Sequence, residues 1–138
     1  MIRTAFGLVL AAALAFPLAS GCGAGSSAHR TIEIRYSHFA PDVIEVPMGE
    51  PVTITLRNED PIDHEWIVGA ENVHERHRTG TEPLHASIPT EVTIPALSTR
   101  ETTITFDTPG EYAYICHLPR HEEYGMVGSL RVVADEGG

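Results

Sequence analysis

Cys116, His121 and Met126 fall five residues apart in one stretch, Tyr114-Ile115-Cys116-His117-Leu118-Pro119-Arg120-His121-Glu122-Glu123-Tyr124-Gly125-Met126. A thiolate, an imidazole and a thioether gathered together suit a soft, redox-active metal, and copper fits that donor set best. The stretch carries charges and Gly rather than an apolar period, so packing alone does not account for it. A mononuclear site needs a second imidazole from elsewhere in the chain. His64 is the strongest choice, because it follows a turn at residues 58–63 and opens the apolar run Trp66-Ile67-Val68. A side chain at a strand's first residue can project from the end of a β-sandwich, where the Cys116 loop would also emerge. His38, just before Phe39, is the rival.

Short runs rich in β-branched and aromatic residues must position these groups. Ile32, Ile34 and Tyr36 alternate with Glu33, Arg35 and Ser37. Further runs cover residues 43–46, 52–56, 66–68, 92–94, 102–106, 112–115 and 130–133. Such residues favour strands. Pro47-Met48-Gly49, Asn58-Glu59-Asp60-Pro61 and Thr108-Pro109-Gly110 supply turns between them. No segment shows a sustained helical period with caps at both ends. The pattern predicts an all-β fold, an antiparallel two-sheet Greek-key sandwich of about seven to eight strands. Residues 69–89 read as one long, charged, His-bearing excursion.

With 138 residues, the chain has room for one domain with a sizeable core. Residues 1–21 read as an export signal: Arg3 precedes a 15-residue apolar run at 5–19, short for a membrane-spanning helix of about 20 residues. Leu18-Ala19-Ser20-Gly21-Cys22 resembles the lipobox of bacterial lipoproteins, with Ala19 where Leu is commonest. The resemblance implies lipidation at Cys22. Residues 22–30 then form a small, polar tether to a domain at 31–138. Acylation of Cys22 leaves Cys116 as the domain's sole thiol, and a metal ligand explains a lone thiol in an oxidising compartment. The expected location is the outer face of the cytoplasmic membrane, in the periplasm or beyond. The formal net charge of −10 disfavours nucleic acid and suits a basic or metal-bearing partner.

Phe39-Ala40-Pro41, Ile44, Val46, Gly49, Val52, Asn58 and His64, followed by residues 108–116 and Gly125-Met126-Val127-Gly128, resemble the ordered halves of a cupredoxin, the small blue-copper family. The likeness covers roughly residues 31–133. It implies one mononuclear copper cycling between Cu(I) and Cu(II), held by His64 Nδ1, Cys116 and His121 Nδ1 in a plane with Met126 as a weak axial ligand. Four residues separate Cys116 from His121 and four more precede Met126, a spacing like the rusticyanin and auracyanin branches. Glu65 stands where many members place an Asn that bonds across to the Cys loop.

The run Cys116-His117 also resembles the last ligand loop of multicopper oxidases, but the chain has no His-x-His pair for a trinuclear cluster. Nor is there a Ser-His-Asp arrangement or a phosphate-cradling Gly loop. The expectation is therefore a non-enzymatic, monomeric, membrane-tethered protein that shuttles single electrons between redox partners such as a cytochrome or an oxidase. The alternative is a copper carrier for delivery or resistance, for which His74, His77 and His85 are spare ligands for a second metal.

Overall fold

The computed structural model describes residues 28–81 and 88–134, so the leader, Cys22 and His85 lie outside the described residues. Among the described residues the β-rich texture resolves into nine strands: β1 Ala28–Arg35, β2 His38–Ala40, β3 Val43–Pro47, β4 Pro51–Asn58, β5 His64–Gly69, β6 Glu91–Ile94, β7 Thr99–Thr105, β8 Gly110–Ile115 and β9 Val127–Val133. One sheet runs β2-β1-β4-β7 and the other β3-β9-β8-β5-β6. This is the expected two-sheet sandwich, with two pairings of the opposite sense. β1 lies parallel to β4, and β3 parallel to β9, because the chain crosses to the other sheet between them. The core fills the space between the layers, with Ile32, Ile34, Ile54 and Leu56 from the first sheet meeting Trp66, Tyr114, Leu130 and Val132 from the second.

Three local expectations are corrected. β1 starts at Ala28, inside the segment read as tether, because backbone pairing with Val52, Thr53 and Ile54 extends the strand and Ala28 packs against the core. Tyr36 does not continue the alternation of Ile32 and Ile34. It turns out at φ 54° with Ser37 at φ 56°, and its side chain is 89% exposed. Their two amides donate to the Asp60 carboxylate at 2.7 and 2.8 Å, a contact 23 to 24 residues distant that no local pattern announces.

The excursion after β5 contains a helix, α1 Glu71–Thr79. Its sequence hides it. Ala70 gives no side-chain cap, and the buried residue anchoring it is His74 rather than an aliphatic one. Gly80 at φ 66° ends the helix in the left-handed conformation that favours glycine.

Tyr114 ties the layers together beneath the loop end. Its ring meets Phe39 edge-on at 5.2 Å and its hydroxyl donates to Pro41 O at 2.8 Å. Gly128 lies opposite Tyr114 in the β8–β9 register, and a Cβ there would fall inside the phenol ring.

Candidate metal centre

His64 opens β5, and the turn before it is held by buried polar groups rather than by apolar packing. Asn58, 2% exposed, donates its amide to Ile62 O at 2.8 Å, Pro95 O at 3.0 Å and Ile94 O at 3.2 Å, and accepts from Asp60 N at 3.0 Å. Asp60 in turn fixes the imidazole: Oδ2 lies 3.0 Å from His64 Nε2. A carboxylate only accepts, so Nε2 carries the proton and Nδ1 presents a lone pair to the site. The His64 ring is fully buried.

The other groups come from the loop between β8 and β9. Cys116 N donates to Met126 O at 3.2 Å, and Met126 N donates to His121 O at 3.0 Å, so the loop's ends and its midpoint are tied together. Arg120 at φ 69° and Gly125 at φ 93° make the bends on either side of His121. His121 Nδ1 then sits 3.3 Å from both Cys116 Sγ and His64 Nδ1. Among the described residues, His64, Cys116 and His121 are the one group of three such side chains whose donor atoms all lie within 4.8 Å of one another. Met126 is fully buried in the same core cluster as Cys116. His38 is elsewhere, exposed on β2 with Nδ1 2.8 Å from Tyr36 O.

The link left open at Glu65 is made by its main chain, whose N–H donates to Cys116 Sγ at 3.3 Å. A backbone donor does not depend on the side chain, so the replacement of Asn by Glu leaves this contact intact. Burial pushes the Cys116 thiol up, against the pull of hydrogen bonds from Glu65 and Leu118. Burial, then the neighbouring His64, pushes the His121 imidazolium down. At Asp60 burial alone would raise the carboxyl, but the amides of Ser37 and Tyr36 together with His64 hold it below its usual value. The metal-free site thus favours a neutral thiol at Cys116 and an unprotonated His121 beside an ionised Asp60. A cation binding there displaces the thiol proton.

Two features escaped the sequence reading. Asp60, four residues before His64, carries no motif and is recognisable only through its contacts. His117 does not face the site. It joins His74 and His77 in a buried cluster beside α1, with His74 Nδ1 2.9 Å from His117 Nε2 and the His77 ring stacked on His117 at 5.0 Å. Burial, then His74, pushes His117 down to about 4, and burial likewise lowers His74.

A two-sheet β-sandwich that holds a buried cysteine and two lone-pair-bearing histidines at one end defines a class of small copper proteins. The chain belongs to the cupredoxin-like domain family, which matches residues 7–130. It is 28% identical over 116 residues to the copper-resistant cuproprotein CopI of Rubrivivax gelatinosus, across 80% of this chain and 70% of that one. It is also 28% identical over 141 residues to CopI of Pseudomonas aeruginosa, across 78% of each. Among solved structures, the dithionite-reduced auracyanin of Roseiflexus castenholzii superimposes with a TM-score of 0.66 at 22% identity, over 79% of this chain and 99% of that one. Auracyanin A of Chloroflexus aurantiacus, described as a blue copper protein, does so with a TM-score of 0.61 at 25% identity, over 78% and 99%. Copper is the cofactor, and the donor set fits it: a thiol, two imidazole nitrogens and a buried thioether, with no carboxylate among them.

Proposed function

We propose that this chain is a blue-copper electron-transfer protein, lipid-anchored through Cys22 outside the cytoplasm, which passes single electrons between redox partners and turns over no substrate. His64 and His121 through Nδ1, Cys116 through Sγ and Met126 through its thioether would hold the copper, which supplies a one-electron couple. The observation that carries the reading is the dry, pre-arranged cysteine. Cys116 is fully buried, accepts the Glu65 amide at 3.3 Å and already lies 3.3 Å from His121 Nδ1. Donors fixed by the fold before the metal arrives change little between oxidation states, which is what fast electron exchange requires.

His121 is half-buried while His64 is sealed, so the His121 ring is the way out to a partner. Tyr36, Ile62 and Leu97, exposed around Asp60, and Tyr124 in the loop offer apolar surface for a partner to cover. The acidic balance of the chain favours a basic one.

A second reading, copper carriage for resistance, is favoured by the name of the CopI relatives. Voltammetry and copper-transfer assays on the copper-loaded protein separate the two. Electron transfer requires an intense visible band, a reversible one-electron wave and retention of copper against a cuprous chelator. A protein that stays colourless with Cu(II) and hands Cu(I) to the chelator is a carrier, and the first reading fails.

A further inference from the structure

We infer that α1 is a clamp on the ligand loop, in which Arg78 and His74 are positioning residues that hold His121 against Cys116 and His64. The inference rests on the copper-centre reading and concerns side chains outside its ligand set. His121 needs such a hold. Its main-chain bonds, from its N to Leu118 O and from Met126 N to its own O, both stay inside the loop. Cys116, by contrast, is tied to β5 through the Glu65 amide. The ties that fix the far half of the loop come from the helix, and each grips the residue after a ligand. His117 follows Cys116, Glu122 follows His121, and both bond to α1.

Arg78 makes the outer grip. Its Nε donates to the two Glu122 oxygens at 3.0 and 3.1 Å, and its Nη2 to Oε1 at 2.6 Å. Nη1 donates to Glu71 at the head of the same helix, so the guanidinium plane is set from its own side as well. A planar fork that meets both carboxylate oxygens fixes orientation as well as distance. His74 makes the inner grip. Its Nε2 faces Gly69 O and Ala113 O, both at 3.2 Å. Carbonyls only accept, so Nε2 carries the hydrogen and Nδ1 accepts one. The 2.9 Å contact with His117 is then a hydrogen bond donated by His117 Nε2. Both His74 nitrogens are committed to hydrogen bonds, so this residue is not the spare metal ligand that the sequence suggested.

The root of the clamp lies in the right strands. Gly69 ends β5, which His64 opens, and Ala113 belongs to β8, which leads into Cys116. Val73 sits directly over Gly69, where a Cβ would fall 2.8 Å from its side chain, so α1 rests on the sheet without a gap. Towards the loop the contact is looser. A cleft of about 440 Å³ lined by His77, Arg78, His117, Leu118 and Glu122 opens there, and polar bonds rather than close packing make the connection. Cutting them frees the far half of the loop to swing, taking His121 Nδ1 away from the 3.3 Å it keeps to Cys116 Sγ and His64 Nδ1.

The test follows copper release from the loaded protein to excess chelator under native conditions, with the visible spectrum and copper hyperfine coupling alongside. Arg78→Ala should release copper about 10-fold faster and shift the hyperfine coupling. Glu122→Ala should do the same, and the double variant should be no worse than either single one, because Arg78 acts through Glu122. His74→Ala, which uproots the helix, should hasten release at least as much; should it fail to fold, the Arg78 and Glu122 variants decide. A merely structural contact lowers the urea midpoint and leaves release and spectrum alone, and that result for Arg78→Ala overturns the clamp. Additive effects of Arg78→Ala and Glu122→Ala overturn it too. A copper form that is colourless and shows no reversible wave sinks the electron-transfer reading instead, since copper release reads the clamp in either case.

Discussion

Asp60→Asn separates an electrostatic role for Asp60 from a merely structural one. The carboxylate lies 3.0 Å from His64 Nε2. Adding the width of the imidazole ring and one metal–nitrogen bond puts its charge roughly 7 Å from a metal at His64 Nδ1. One unit charge at 7 Å and an effective dielectric of about 20 interacts by about 2.4 kcal/mol. A negative charge stabilises Cu(II) over Cu(I) by that amount, and for a one-electron couple 59 mV corresponds to about 1.4 kcal/mol. Removing the charge should therefore raise the reduction potential by about 100 mV. Asn also places an NH2 against one of the amides of Tyr36 and Ser37, and that unpaired donor should lower stability by about 1–3 kcal/mol. Voltammetry of the copper form and urea unfolding of the metal-free form read the two effects separately. A potential within about 20 mV of wild type, with the expected loss of stability, would refute the electrostatic reasoning and leave Asp60 a structural residue.

Other perturbations test the supports of the site. Asn58→Ala leaves Ile62 O, Ile94 O and Pro95 O without their shared donor, and should cost about 2–3 kcal/mol in urea unfolding and speed copper loss to a chelator. Gly128→Ala drives a Cβ into the Tyr114 ring, so a loss of about 3 kcal/mol with an altered aromatic near-ultraviolet dichroism is expected. Arg78 clasps Glu122 through three hydrogen bonds of 2.6 to 3.1 Å and holds its carboxyl below the usual range. A lowered folded-state value means the stabilisation is complete above the ordinary carboxylate range and fades as pH falls through the lowered one. Metal-free wild type should lose about 0.5–1 kcal/mol across that acid window, and Arg78→Ala should not.

The strands were legible because β-branched runs between Gly and Pro turns leave few other options. The limits of that legibility are also physical. Ile32 and Ile34 face the core as their alternation suggests, whereas Tyr36, which completes the same alternation, is turned out where its amide and that of Ser37 donate to the Asp60 carboxylate. α1 was invisible because its buried anchor is an imidazole and its first residue has no cap. The parallel pairings were equally hidden, since a strand's own composition does not say which neighbour it will meet.

At the metal centre, the chain alone determined which atoms are available. Soft and borderline donors at fixed spacing, Cys116, His121 and Met126, and a histidine at the head of a strand, His64, specify copper chemistry because donor type is a property of the side chain itself. Only the folded structure decided how those donors are aimed. Asp60 selects the nitrogen that His64 presents, the Glu65 amide reaches Cys116, and two backbone carbonyls set the lone pair of His74. These are hydrogen bonds between residues four to fifty-one positions apart. The direction of a lone pair depends on what faces the opposite side of the ring, and that is settled only when the two sheets and the loop close upon one another.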